Sequence, residues 1–173
     1  ARRELAGYHA HIEATDRAIG RLIAAVDATR TVVVFTSVHG DMHGAHGRFR
    51  KGWPHEESVR VPMLVRTPGG VAECDAAPVS LIDLPAMTLA WAQESMFPVA
   101  RRVARISMPS VVALPRQCDR RWRGVRSPTR KLVVNADGSP WLYFDLEADP
   151  WERENLVGSA RHAGEIAAWR PLI

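Results

Sequence analysis

Lysine is nearly missing from this chain. Of its 23 basic residues only Lys51 and Lys131 are lysines, and arginine carries the rest of the positive charge. Cysteine is scarce too: Cys74 and Cys118 stand far apart and neither belongs to a CxxC pair, which excludes a disulfide framework and a thiolate zinc site. One bridge between them, or two isolated thiols, stays open. No apolar run approaches the roughly 20 residues a membrane helix needs. The first residues, "ARRELAGYHAHIEATDRAIG", lack an initiating Met and the continuous apolar core of a signal peptide. They read like the interior of a longer gene product. With no leader or span in view, a cytoplasmic location is the expectation and a membrane is not an expected partner. The net charge of +4 and pI near 9.7 raise the question of nucleic acid. An arginine-for-lysine skew also arises from coding bias, so nucleic acid is not the expected partner either.

What is present suffices for a globular core. At 173 residues, 46% hydrophobic and 24% charged, the chain has the size of one ordinary domain or of a piece of a larger one. Apolar Leu5, Tyr8, Ile12, Ile19, Leu22, Ile23 and Val26 recur at intervals built from three and four, which predicts a helix over 3–27. Asp16 on it either braces a neighbouring loop or is simply solvated. "TVVVFT" is apolar and β-branched on both faces, the pattern of a buried strand in an α/β crossover. "VRVPMLVRTPGG" predicts a second strand, and "SLIDLPAMTLAWA" a helix with Pro85 in its first turns. Residues 93–130, with Pro98, Pro109, Pro115 and arginines from Arg101 to Arg130, give no clear element. "TRKLVVNADGSPWLYFDL" is a hairpin turning at Asp137-Gly138. After it, Asp149-Pro150 makes a turn that Trp151 and Leu156 are expected to pack down, and "ARHAGEIAAWRPLI" closes the chain as a helix. The expected organisation is an α/β part over 1–114 and a small sheet-and-helix part over 115–173.

Chemistry concentrates after the first strand, in "SVHGDMHGAHGRFRKGWPHEES". Gly40, Gly44, Gly47 and Gly52 keep this stretch from being a helix interior. Loops at the carboxyl ends of strands are where open α/β sheets hold ligands. This one carries His39, Asp41, His43, His46 and Lys51. Imidazole and carboxylate are metal ligands, and an ammonium is a point charge suited to a phosphate or sulfate oxygen. Hydrolysis of a sulfate or phosphate ester uses both kinds of group. A cluster of His39, His43 and His46 around a transition metal is the competing arrangement. It needs a helical spacing that the glycines oppose.

The segment "FTSVHGDMHGAHGRFRKGWPHEESVRVP" resembles the sulfatase family of the alkaline-phosphatase-like superfamily, which also holds phosphonate monoester hydrolases. "YHAHIEATDRAIGRLIAAVD", "VSLIDLPAMTLA", "GVRSPTRKLVV" and "LYFDLEADPWERENL" are similar to further stretches of that family, in its order. The resemblance implies the C-terminal portion of a mixed α/β domain, followed by a small antiparallel sheet and terminal helix. It implies that Lys51 grips the sulfate or phosphate group of a monoester and that His39 lies at a divalent metal, expected to be calcium. His46 would assist at the substrate, and Asp41 would support the loop. Two departures stand out. Val38 occupies the position of a metal-binding aspartate, a loss of roughly 2 to 5 kcal/mol in metal affinity. Neither Cys74 nor Cys118 sits in the C-x-P-S-R segment that carries the formylglycine nucleophile. The chain alone is therefore expected to be inactive, as a hydrolase fragment that lacks an N-terminal segment. The alternative is an inactive remnant or partner subunit that binds anions, or, further off, an arginine-rich nucleic-acid module.

Overall fold

A computed structural model describes residues 2–93, 103–111 and 117–173. They form two compact units, one of residues 1–36 with 63–73 and the other of 37–62 with 74–173. The expected boundary at 114/115 lies outside the described residues, as do Pro98, Arg101, Arg102, Pro115 and Arg116.

The first unit holds helix α1 (Arg2–Ala24) and strands β1 (Val33–Thr36) and β2 (Met63–Arg66). The strands pair antiparallel, Val33 opposite Arg66 and Thr36 opposite Met63. The expectation of a buried strand in a crossover is corrected here: no residue of β1 is fully buried and Phe35 is exposed. Apolar composition records what a strand gains from cover, and these residues are not given that cover. The same holds for α1, where Leu5, Tyr8, Ile12 and Leu22 are all exposed.

In the second unit, after the loop, come α2 (Glu56–Val59), α3 (Leu84–Ala92) and a four-stranded antiparallel sheet. Its strands, in spatial and chain order, are β3 (Ala104–Met108), β4 (Trp122–Arg126), β5 (Arg130–Asn135) and β6 (Pro140–Asp145). Helix α4 (Ala163–Trp169) follows. The β5–β6 hairpin forms as read, with Gly138 at φ 83° where only glycine is unstrained. β3 and β4 correct the blank reading of 93–130. Arg105 in β3 and Arg123 and Arg126 in β4 interrupt their apolar positions, and what defines these strands is pairing, β3 with β4 and β4 with β5.

Period-two alternation sends the side chains of this sheet to two cores. Trp122, Val133, Leu142 and Phe144 face one side with Trp53 and Val59 of the loop segment. Val125, Leu132 and Tyr143 face the other, against Ile166 and Trp169 of α4. Each fully buried aliphatic or aromatic side chain there contributes about 1.5–3 kcal/mol. Trp53 and Val59 thus tie the loop segment 53–59 to one wall of this core. Trp151 corrects another expectation. It is exposed, while its neighbour Glu152 turns inward at φ 52°. Both cysteines are free thiols, Cys74 exposed and Cys118 buried. No helix among the described residues is long and apolar enough to cross a membrane.

Candidate oxyanion site

The loop leaves β1 at Ser37 and folds back on itself. Met42 N–H donates to Arg50 C=O at 2.9 Å, Gly44 N–H donates to Arg48 C=O at 2.8 Å, and the Met42 side chain is buried beneath. Asp41 Oδ1 accepts from His43 N–H at 2.9 Å and Arg50 N–H at 3.2 Å, closing the loop across its width. His43, His46 and Arg50 have φ of 45°, 52° and 63°. Non-glycine residues in that region cost of order 1 kcal/mol each and persist only where surroundings enforce them.

These turns bring His39 and Lys51 together. Lys51 Nζ donates to His39 Nε2 at 3.0 Å, and His39 Nδ1 donates to the carbonyl of Gly40 at 2.8 Å. A carbonyl can only accept, so Nδ1 carries the ring proton and Nε2 offers its lone pair to the lysine. Ser37 Oγ donates to His39 C=O at 3.0 Å. One ammonium N–H is thus spent on the imidazole and two point elsewhere.

The other histidines turn to different partners. His43 Nδ1 lies 3.6 Å from Asp41 Oδ1. His46 Nε2 lies 3.7 Å from Glu57 Oε1, and its ring lies against that of His55 at 4.2 Å. No three His, Cys, Asp or Glu residues among those described are grouped to hold a metal ion, so the cluster of His39, His43 and His46 is not formed. The donor set of this loop does not fit a calcium either. The Nε2 lone pair of His39 is taken by the Lys51 ammonium, Asp41 Oδ1 is engaged by backbone N–H groups, and Val38 offers an exposed isopropyl group.

Beneath the loop lies a charged network that no sequence pattern singles out. Lys131 is fully buried, with Nζ 2.6 Å from carboxylate oxygens of both Glu56 and Glu152, and donates to Pro54 C=O at 3.0 Å. Arg126 adds a bond to Glu56 at 3.1 Å, and Glu152 accepts from Glu56 N–H at 2.8 Å. Burial works to raise both carboxyls. At Glu56 the Lys131 and Arg126 charges outweigh it and the pKa falls below the ordinary value, whereas at Glu152 burial prevails and raises it. Burial, with the charges of His46, Lys131 and Arg48, pushes His55 down to about 3.

The class this mixed α/β chain belongs to, the alkaline-phosphatase-like sulfatases, is shown by its similarity to known proteins. A family model described as Sulfatase matches residues 1–94. The chain is 33% identical over 190 residues to the ulvan-active sulfatase of Formosa agariphila, covering 91% of this chain and 35% of that protein. It is 29% identical over 199 residues to the arylsulfatase of Clostridium perfringens, covering 99% and 40%. Among solved structures, BT4656 in complex with its substrate D-glucosamine-2-N,6-O-disulfate superposes with a TM-score of 0.71 at 25% identity, over 93% of this chain and 37% of that one. The chain belongs to the sulfatase family. It spans between a third and two fifths of the length of these relatives.

Proposed function

We propose that this chain supplies the oxyanion-holding side of a sulfatase site, with Lys51 gripping the sulfate group of a sulfate monoester and His39 orienting that lysine. The observation that carries the reading is the 3.0 Å bond from Lys51 Nζ to His39 Nε2. It aims an ammonium whose two remaining N–H groups match two oxygens of a tetrahedral anion. As the ester S–O bond breaks, that charge stabilises the oxygens on which negative charge gathers. A divalent metal would polarise the same oxygens in a complete site, but these residues do not fit one unaided, so its ligands and the nucleophile are assigned to polypeptide outside this sequence. His46 stands on Glu57 and His55, and we assign it a supporting place beside Asp41.

A second reading is favoured by Val38 and by the missing C-x-P-S-R segment: an inactive partner or remnant that retains anion binding. Titration with inorganic sulfate, with phosphate as comparison, tests the shared premise. Lys51→Ala should weaken sulfate binding by about 10- to 100-fold, the equivalent of a hydrogen bond to a charged group. Equal affinity in both proteins would refute it. Aryl sulfate hydrolysis, assayed with a separately supplied N-terminal chain of a relative, separates the two readings: turnover supports the first and its absence the second. Val38→Asp should raise calcium affinity roughly 30-fold or more if the aspartate position is a metal position.

A further inference from the structure

The His39–Lys51 contact joins residues twelve apart on a glycine-rich loop, and something must hold the two ends in register. Ser58 touches both. Its backbone carbonyl accepts from Gly40 N–H at 2.8 Å, next to His39. Its hydroxyl accepts from Gly52 N–H at 3.1 Å, next to Lys51. Ser58 is buried, and the approach at Gly40 is so close that a Cβ there would fall 2.0 Å from the carbonyl oxygen of Glu57. Gly52, at φ 90°, is held from its other side as well: Trp122 Nε1 donates to its carbonyl at 2.7 Å. Trp122 is itself buried in β4. Gly52, the residue that follows Lys51, is therefore fixed at its N–H by one side chain and at its C=O by another.

We infer that Ser58, with Trp122 opposite it, is the positioning residue that sets the distance between His39 and Lys51 and so aims the ammonium at the anion. The inference rests on the oxyanion reading of Lys51. Neither residue touches the ligand. Ser58 acts through the backbone at Gly40 and Gly52, and Trp122 transmits the rigidity of the four-stranded sheet to the loop. Loss of either bond leaves Lys51 tethered at one point of a peptide whose left-handed conformation has little intrinsic preference over others. The lysine then spends rotameric freedom on each anion it binds.

The test is calorimetric titration of the whole 173-residue chain with inorganic sulfate, well below each variant's melting temperature. Ser58→Ala and Trp122→Phe should each weaken sulfate binding by about 5- to 10-fold, at or somewhat above the worth of one neutral hydrogen bond. Ser58→Thr keeps the hydroxyl and should recover most of the affinity. Ile166→Ala serves as the stability control, because it opens a cavity in the core on the other face of the sheet and should leave sulfate binding unchanged. Lys51→Ala is run alongside. If Lys51→Ala loses sulfate while Ser58→Ala and Trp122→Phe both keep it, the positioning role is overturned and the proposed function stands. A loss in Ile166→Ala as large as that in Ser58→Ala would also overturn it, since general destabilisation would then account for the effect. If Lys51→Ala itself retains sulfate, the functional reading falls and this inference with it.

Discussion

Replacing Lys131 by methionine isolates the charge that ties the loop to the sheet. The side chain keeps its length and loses its ammonium, 2.6 Å from Glu56 and from Glu152 in the native protein. Glu56 retains Arg126 at 3.1 Å. Among the described residues Glu152 retains the Glu56 N–H at 2.8 Å, and it stays buried. Breaking a buried pair by removing one partner costs about 3–5 kcal/mol, because the other charge is left behind. Glu152 has an escape, since burial already raises its pKa. Taking up a proton at pH 7 costs an ordinary glutamate about 3.7 kcal/mol, and at pH 5 only about 1 kcal/mol. Protonation therefore caps the penalty, and the cap falls with pH. Urea unfolding of Lys131→Met should show a loss of about 3–4 kcal/mol at pH 7, or roughly 10 °C in melting temperature. The difference from the native chain should shrink to about 1 kcal/mol at pH 5. Adding Glu152→Gln should recover much of the loss at pH 7 and little at pH 5. A loss below 1 kcal/mol at pH 7, or one that is equal at the two pH values, would refute the reasoning.

Two further outcomes follow from the same region. His55 is held near pKa 3 by burial and by neighbouring positive charge, so below about pH 6.5 the unfolded chain takes up a proton that the folded one refuses. Its contribution is complete above about pH 6.5 and is lost as pH falls toward 3, at up to about 1.4 kcal/mol per pH unit. Unfolding free energies of His55→Phe between pH 4 and 7 should therefore slope less steeply than those of the native chain, by about one proton; coincident slopes would count against it. Gly40→Ala places a Cβ 2.0 Å from a backbone oxygen. About 3 kcal/mol or more of stability should disappear, with sulfate binding lost alongside. A melting temperature within a degree of the native one would show that the approach is looser than described.

The kinds of groups on the loop, and the order of the elements outside β3 and β4, were legible in the residues alone. Glycines at 40, 44, 47 and 52 forbade a helix, Asp137-Gly138 marked the hairpin, and the three-and-four spacing from Leu5 to Val26 wrote α1. These signals are local, which is why they can be read without a fold. His39 and Lys51 were legible as an imidazole and an ammonium, and the family resemblance paired them. Their 3.0 Å contact depends on three loop residues at positive φ and on Ser58, and no spacing announces that. Strands β3 and β4 were hidden because arginines, a serine and a glycine interrupt their short apolar runs, so cross-strand pairing is what reveals which face is buried. No pattern in the sequence singles out Lys131 or Glu152, and Trp151 is the residue expected to pack the turn down. Tertiary structure buries the two charges and exposes the indole, because parity along β5 points Lys131 into the loop-side core, where the carboxylates of Glu56 and Glu152 satisfy it. A side chain's chemistry is written in its own residue, while its surroundings are decided by segments up to a hundred positions away.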